Sequence, residues 1–468
     1  MEQRSGIAGL PALEAAIARD LALLDYPRRD WVPPRSFEGN PVLDVLIVGG
    51  GQSGLSTAFA LIREKVGNIL VIDEKPAGKE GPWRDFARMV TLRTPKHVTG
   101  PDLGIPNLTF QAWYEAQHGA DGWAAVKLIP KELWADYLAW YRRTLGLPVR
   151  NRVKLGTLEW MSAAQAWKCP TTSPSGPGTL YARKVVLATG IDGAGRWEVP
   201  PVLKSVPQKF WSHTRDDIDF AALAGKKIGV LGAGASAFDN ASVALEAGVA
   251  EVELFFRREK LVDINPYRWA EFTGFLKHHS DLDDARKWTF ISQFVRMGQL
   301  PPADTLARAR AYRGFSLHPG SPWTAVEPVG DKVKVTTPKG SFEFDFLIVG
   351  TGFVTDLTLR PELQLVKDDI ALWADRYTPP ENQRFDDLGR HPYLGPSGEF
   401  LPKADKPWIS SLFCYTYAGL PSLGFAGAFI SGLKYSLPKL VDGITGQLYR
   451  EDADHFFETL RNYDAKEF

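Results

Sequence analysis

The sequence predicts an α/β protein that contains two strand–loop–helix units of the same kind. In the first unit, the apolar run 44–48 is typical of a buried parallel strand and ends in the pattern G-x-G-x-x-G at residues 49–54. In the second unit, the run 227–231 ends in G-x-G-x-x-A at residues 232–237. Apolar residues recur at helical spacing after both glycine loops. The two units therefore have the order of Rossmann-like dinucleotide-binding domains.

The first glycine loop has the residue types that a bound pyrophosphate requires. A pyrophosphate approaches the backbone at the N-terminus of a helix, where free N–H groups and the helix dipole attract anions. Side chains at Gly49 or Gly51 would block that approach. The next apolar run, 69–74, ends in Glu74, which lies at the distance of about 20 residues from Gly54 expected for an acid that binds a ribose hydroxyl.

The second unit differs from the first at the end of its second strand. The run 252–256 is followed by Arg257 and Arg258, where the first unit has an acid. An arginine at this place pairs with a 2′-phosphate that a carboxylate would repel. The alternative is that both are solvated surface charges, with Glu259 close enough to neutralise one. The residue types favour FAD in the first unit and NADPH in the second, with electron transfer between them.

The composition argues against several other classes of protein. Lys plus Arg number 55 and Asp plus Glu number 55, so no net field favours nucleic acid or an anionic membrane. The N-terminus lacks a secretory signal and no run reaches about 18 apolar residues, so we expect a soluble, cytoplasmic protein. The two cysteines, Cys169 and Cys414, are too few and too far apart for a disulfide framework or a zinc site, and no metal is expected.

The pattern along the chain predicts an FAD domain with an inserted NADPH domain. The expected parts are an N-terminal helical extension and linker (1–43), the first part of the FAD domain (44–200), the NADPH domain (201–344) with an aromatic insertion (265–322), and the second part of the FAD domain with C-terminal helices (345–468).

Three local expectations accompany this division of the chain. The runs 333–337 and 342–346 alternate about a Pro-Lys-Gly turn, which predicts a β-hairpin in a meander. The segment 170–178 is rich in turn residues and is expected to be a loop between two strands. Residues 265–275 either fold over the cleft between the domains and wall a substrate pocket, or form a helical elaboration of the NADPH domain.

Several stretches resemble the class B flavin-dependent monooxygenases, which include the flavin-containing, N-hydroxylating and Baeyer–Villiger monooxygenases. The stretches that carry the resemblance are the FAD fingerprint 48–54, Glu74 followed by Gly81-Pro82-Trp83 with Glu80 in place of a glycine, the flavin-side segment 92–96, the NADPH fingerprint 232–239 with Ser236 and Asp239, and the inter-domain turns 188–190 and 350–353. One hallmark departs from the family pattern, because the stretch 207–214 keeps only His213 of Phe-x-Gly-x-x-x-His.

The resemblance implies an NADPH-using flavoprotein monooxygenase. In such enzymes NADPH reduces FAD, O2 forms a flavin C4a-(hydro)peroxide, and one oxygen atom passes to a small organic substrate. The disulfide reductases share the two-nucleotide plan but need a redox-active cysteine pair, and this chain has no C-x-x-C. An NADPH oxidase, a quinone or carrier reductase, and a non-catalytic flavin-binding sensor stay open. The substrate, the type of oxygenation (N-, S-, ring hydroxylation or Baeyer–Villiger) and a homodimer also stay open.

The glycine patterns and the resemblance together give the residues expected to bind the cofactors. They are Gly49, Gly51, Gln52, Ser53, Gly54, Glu74, Trp83, Arg84, Thr94, Val153, Thr189 and Gly190 for FAD and its surroundings, and Gly232, Gly234, Ala235, Ser236, Ala237, Arg257, Arg258, Thr351 and Gly352 for NADPH and the second turn. No residue is assigned as catalytic. Arg93, Lys96, His213 and Arg268 are candidates for a role in the site, and a structural or NADP-binding role is the alternative for each.

Overall fold

The computed structural model describes residues 9–24, 29–97, 100–299 and 302–468. Within these ranges the α-helices are α1 Leu10–Leu23, α2 Gln52–Arg63, α3 Phe110–Ala125, α4 Lys131–Thr144, α5 Ala235–Glu246, α6 Pro266–Trp269, α7 Thr273–His278, α8 Asp284–Met297, α9 Ala303–Arg310, α10 Trp373–Arg376, α11 Asp386–Gly389, α12 Leu420–Leu423, α13 Ile430–Glu451 and α14 Ala453–Arg461. None of these helices has the length and apolar character needed to cross a membrane.

The strands of the same ranges form four sheets. They are β1 Arg35–Phe37, β2 Asn40–Val48, β3 Ile69–Asp73, β4 Val149–Asn151, β5 Lys154–Leu155, β6 Glu159–Met161, β7 Ala166–Ser173, β8 Gly176–Leu187, β9 Gly195–Trp197, β10 Trp211–His213, β11 Lys227–Leu231, β12 Glu251–Phe255, β13 Phe315–His318, β14 Ala325–Val329, β15 Lys332–Thr337, β16 Gly340–Phe344, β17 Phe346–Val349, β18 Phe353–Thr355 and β19 Leu412–Cys414.

The largest sheet is the centre of the first domain. Strands β4, β3, β2 and β8 pair in this order and run parallel, as the apolar run before the first glycine loop predicts. Strand β19 comes from the C-terminal part of the chain and joins β8 in parallel. Helix α2 follows β2, and α13 packs against α2. The first domain is therefore completed by residues that follow the second domain, which confirms the predicted α/β fold with an inserted unit.

The second sheet is fully parallel, in the order β10-β17-β11-β12-β13. Strand β17 follows the predicted domain boundary at residues 344–345, yet it pairs with β10 and β11 of the second sheet. The boundary predicted from the sequence is thus too early, because the apolar run after the hairpin supplies a central strand of the second domain rather than a strand of the first. The last strand of the second sheet along the chain, β17, ends at Val349.

The two connections between the domains are paired with each other. Strand β9 leaves the first domain and β18 returns to it, and the two form an antiparallel ribbon. At the end of this ribbon, the backbone N–H of Glu198 donates to the carbonyl oxygen of Gly352 at 3.0 Å, and the Thr351 hydroxyl donates to the carbonyl oxygen of Glu198. The two chain crossings therefore lie side by side at the base of the cleft.

One local prediction from the sequence is wrong, and one helix was not predicted. The predicted hairpin is present as β15 and β16, with β14 as a third strand of the meander. The segment 170–178 is not a loop, because its residues pair across β7 and β8 and leave the turn to residues 174–175. Tertiary pairing outweighs local turn preference there. The helix that was not predicted is α3, which is kinked at Gly119, where φ is 72°.

Candidate active site

The first glycine loop lies between the ends of β2 and β8. Gly49 has φ 110°, and a Cβ there would lie 2.5 Å from the carbonyl oxygen of Ala188. A Cβ on Gly54 would lie 1.8 Å from the carbonyl oxygen of Gly49. At Gly51, by contrast, φ is −77° and a Cβ would approach no protein atom closer than 3.7 Å. Protein packing therefore explains two of these glycines and leaves Gly51 beside open space.

The second glycine loop repeats this arrangement at the end of β11. Gly232 has φ 138°, and a Cβ there would lie 2.3 Å from the carbonyl oxygen of Gly350. Gly234 has φ −79°, and a Cβ there would meet no atom within 4 Å. Each loop thus has at least one glycine that protein packing requires, and one glycine, Gly51 or Gly234, that packing does not explain.

Both open positions fit the pyrophosphate group of a dinucleotide. Gly51 is the N-cap of α2 and Gly234 is the N-cap of α5, and neither cap has a side chain that accepts from the first turn. The free N–H groups of a helix N-terminus bind anions when no side chain satisfies them. Residues at these two helix ends could therefore hold FAD and NADP(H), respectively. Within the described residues, no cluster of His, Cys, Asp and Glu side chains could hold a metal ion.

The two adjacent acids at the end of β3 have different roles. The Asp73 carboxylate accepts from the backbone N–H of Gly50 at 2.6 Å and from that of Lys75 at 2.7 Å. Burial raises the pKa of Asp73, although these two hydrogen bonds act in the opposite direction. Glu74 is exposed, and no described residue forms a hydrogen bond with its carboxylate. Asp73 therefore shapes the loop, and Glu74 is left free for a ligand.

A cavity of about 560 Å³ opens beside the first glycine loop. Its lining includes Gly50, Gly51, Trp83 and residues of α4. Trp83 is buried, and its indole N–H has no hydrogen-bond partner among the described residues. Arg84 forms ion pairs with Asp136 and Glu132, so the structure does not indicate that it binds a ligand. The cavity can accommodate part of a bound dinucleotide.

The other residues predicted for the first site surround the same loop and the first inter-domain turn. The Ser53 hydroxyl donates to the carbonyl oxygen of Gly427 at 2.7 Å, and Gln52 accepts from Trp134 at 3.3 Å. The backbone N–H of Val153 donates to the carbonyl oxygen of Asp73 at 2.9 Å. Thr94 is half-buried. The hydroxyl oxygen of Thr189 is buried without a partner in the described structure, and Gly190 has φ 62°.

The residues predicted for the second site lie at the start of α5 and around the second turn. Ala235 and Ala237 are buried in the first turn of the helix, and Ser236 between them is exposed. Gly352 has φ 83°, which favours glycine at the turn after Thr351.

The two arginines after β12 are not equivalent. Both terminal nitrogens of Arg258 donate to carbonyl oxygens at the end of α8, those of Met297 at 3.1 Å and Arg296 at 3.0 Å. Arg258 therefore caps a helix. Arg257 is exposed, and no hydrogen bond or ion pair joins its side chain to the described residues. Of the predicted pair, the structure leaves Arg257 available for a 2′-phosphate.

The four candidate residues of the cleft have distinct surroundings. Arg93 pairs with Asp239 of α5 and so links the two domains. Lys96 donates to the carbonyl oxygen of Trp123 and lies over its ring, which indicates a structural role. Arg268 is exposed.

His213 is buried at the end of β10, beside the inter-domain ribbon. Its Nδ1 accepts from the backbone N–H of Arg215 at 3.2 Å, and its Nε2 has no partner among the described residues. Burial lowers the pKa of His213, so the imidazole is neutral at pH 7.

The helical insertion crosses the cleft. The ring of Tyr267 in α6 stacks on Phe425 with centroids 5.3 Å apart, and its side chain interacts electrostatically with that of Tyr417. Both partners belong to the C-terminal part of the first domain, so this segment folds over the cleft. Trp269 instead is 55% exposed and packs on Phe290. No sequence pattern indicates Tyr417, because it begins a short 3-10 helix that lies more than 100 residues away along the chain.

Comparison with known proteins identifies the family. The FAD-NAD(P)-binding family matches residues 46–192. The FAD-dependent urate hydroxylase of Xanthomonas campestris pv. campestris is 48% identical over 462 residues, which span 98% of this chain and 97% of the relative. The chain belongs to the class B flavin-dependent monooxygenases. As a member of this family it is an FAD- and NADPH-dependent oxidoreductase that uses O2 and a small organic substrate, which confirms the resemblance seen in the sequence.

Solved structures of this class share the fold. The ornithine N-hydroxylase of Kutzneria sp. 744, solved with FAD, NADP+ and L-ornithine, has a TM-score of 0.66 and 15% identity, over 87% of this chain and 100% of that chain. The L-lysine 6-monooxygenase of Pseudomonas syringae has a TM-score of 0.66 and 16% identity, over 86% of this chain and 99% of that chain. Both likenesses support a monooxygenase fold with two dinucleotide-binding domains.

The two open glycine positions give a paired prediction for this monooxygenase. We expect Gly51→Val to fold but to lose bound FAD, because the added methyl groups enter space that the protein leaves empty. We expect Gly234→Val to retain FAD and to raise the KM for NADPH about tenfold or more, since it blocks the second helix N-terminus. Flavin absorbance of the purified proteins and NADPH titration measure the two effects. Full FAD occupancy in Gly51→Val would refute the assignment of the first loop.

The unequal arginines give a second prediction. Charge-assisted pairing with a 2′-phosphate contributes roughly 1.5–3 kcal/mol, or about tenfold or more in affinity. Arg257→Ala should therefore raise the KM for NADPH by that factor and leave the KM for NADH nearly unchanged. Arg258→Ala is the matched control, and it should lower thermal stability through the lost helix cap without a selective effect on NADPH. Equal losses with both nucleotides in Arg257→Ala would contradict the role of this side chain.

Proposed function

We propose that this monooxygenase hydroxylates urate. The observation that carries the proposal is the 48% identity to a FAD-dependent urate hydroxylase over nearly the whole of both chains. Ring hydroxylation of a heterocycle was among the reactions left open by the sequence, and the cleft has suitable chemistry for it. The guanidinium of Arg93 interacts electrostatically with Tyr267, so a flat, acceptor-rich ring bound between them would find both donors and an aromatic surface.

The same proposal assigns the cofactor sites. The N-terminus of α2 would hold the pyrophosphate of FAD, with Glu74 at the ribose and the Trp83 indole N–H toward the cavity. The N-terminus of α5 would hold NADPH, with Arg257 at the 2′-phosphate. When bound, FAD supplies the oxygen-activating redox chemistry, which no protein side chain here provides. We also propose a cytoplasmic location and a homodimer for this chain.

The residues of the cleft would orient the substrate and exclude water. Tyr267, Tyr417 and Phe353 are half-buried, and the Phe353 and Tyr417 rings meet with centroids 4.8 Å apart. Burial raises the pKa of both tyrosines, so their hydroxyl groups stay protonated at neutral pH and act as neutral donors. An apolar wall of this kind limits the access of bulk water during oxygen transfer.

The proposal predicts that urate stimulates NADPH oxidation by the FAD-loaded protein. The rate should rise with urate until it saturates, and mass spectrometry should detect a product that contains one atom of oxygen from 18O2. The amount of product should match the NADPH consumed, with little hydrogen peroxide. Stimulation by urate with hydrogen peroxide as the sole oxygen product would favour an NADPH oxidase. If urate does not raise the rate of NADPH oxidation, while a different heterocycle or amine is oxidised in a coupled reaction, urate is not the substrate.

A further inference from the structure

Arg93 lies where the two domains face each other. It follows Leu92, which is buried in the first domain, and belongs to the flavin-side segment 92–96. Its Nη2 donates to Oδ2 of Asp239 on α5 of the second domain at 3.3 Å. The side chain therefore extends from the flavin side of the cleft to the helix of the NADPH fingerprint.

Most of the hydrogen-bonding capacity of Arg93 is unused. A guanidinium carries five N–H donors, and this one makes a single hydrogen bond to the described residues, which is also long. Its side chain is 35% exposed, so a ligand in the cleft can reach it. Partial desolvation lowers the pKa of Arg93, but arginine stays protonated in proteins. A desolvated cation with free donors favours an acceptor-rich ligand.

Asp239 fixes the position of this guanidinium. The Asp239 carboxylate is buried, and its other oxygen accepts from the Thr305 hydroxyl of α9 at 3.0 Å. The Asp239 carboxylate of α5 is therefore held by Thr305 of α9 at one oxygen and by Arg93 at the other. Asp304 is a second acid near Arg93, but it is exposed and hence screened by solvent. The arginine thus donates to Asp239 through one nitrogen, and its other donors have no partner among the described residues.

An aromatic stack belongs to the same region as Arg93. Tyr267 interacts electrostatically with Arg93, and its ring stacks on Phe425 and Phe429 with interplanar angles of 19° and 23°. The stack holds Tyr267 in a fixed orientation. A fork of donors next to an immobilised ring matches a planar ligand that has carbonyl oxygens or an anionic nitrogen along one edge.

We propose that Arg93 determines specificity by donating two parallel hydrogen bonds to the acceptor edge of the substrate ring, with Tyr267 alongside that ring. The inference rests on the proposed function, since urate is an anionic oxidised purine with carbonyl oxygens along its edges. Asp239 acts as a positioning residue for Arg93. The competing ligand at this place is NADPH, whose nicotinamide or pyrophosphate could use the same donors.

The test uses FAD-loaded enzyme with Arg93→Met and Arg93→Lys. In Arg93→Met we expect the KM for urate, and the Kd for urate measured by titration of the oxidised enzyme without NADPH, to rise about tenfold or more. In Arg93→Lys we expect a smaller loss, because lysine keeps the charge but not the planar fork. FAD occupancy and the KM for NADPH should stay within about twofold of wild type. Arg461→Met on α14 is the matched control, because it removes an exposed arginine paired with Glu458 and should change nothing.

The outcomes separate this inference from the proposed function. If urate does not stimulate NADPH oxidation by the wild-type enzyme, both the proposed function and the role of Arg93 are overturned. Wild type that turns over urate, with an unchanged Kd for urate in Arg93→Met, would overturn the role of Arg93 alone. A loss confined to the KM for NADPH would assign Arg93 to the nicotinamide nucleotide and likewise overturn it. If Arg93→Met does not retain FAD, the Kd for urate of Arg93→Lys decides between these outcomes.

Discussion

A single steric constraint occurs twice in this protein. It determines the position of the glycine loop in each of the two domains. In the first domain the loop glycine Gly49 packs against the carbonyl of Ala188, and in the second Gly232 packs against the carbonyl of Gly350. In each case a side chain would clash, at 2.5 Å and 2.3 Å respectively, and φ is positive. The carbonyl belongs to the residue before a Thr-Gly turn. Close packing therefore ties each nucleotide loop to one of the two chain crossings.

This constraint explains how the cleft is assembled. The two turns lead directly into β9 and β18, which pair as a ribbon between the domains. The glycine loops of both domains are consequently held near the same ribbon. The cleft above it receives Arg93 from the first domain, Asp239 from α5 and Tyr267 from the insertion. The chemistry of a flavin monooxygenase needs two cofactors and a shielded substrate in one place, and this arrangement provides the space.

The features that the sequence predicts well are local in the chain. A strand, a glycine loop and a helix follow one another within about 20 residues, so the pattern itself indicates both dinucleotide-binding folds. Other features depend on contacts between distant segments. The sequence cannot tell Arg257 from Arg258, because the carbonyls that bind Arg258 come from the end of α8. Similarly, the choice between Asp73 and Glu74 depends on the conformation of the Gly50 backbone. Tyr417 joins the site only through the fold of the C-terminal part.

The central claim is that the two domains bring their nucleotides together for direct hydride transfer. The most direct measurement is anaerobic stopped-flow absorbance of the FAD-loaded enzyme mixed with NADPH, and with NADPH deuterated at either face of nicotinamide C4. We predict that the flavin absorbance bleaches, and that deuterium at one of the two faces slows the bleaching. A flavin that stays oxidised would contradict direct hydride transfer. Bleaching whose rate is the same with unlabelled NADPH and with NADPH deuterated at either face would also contradict it.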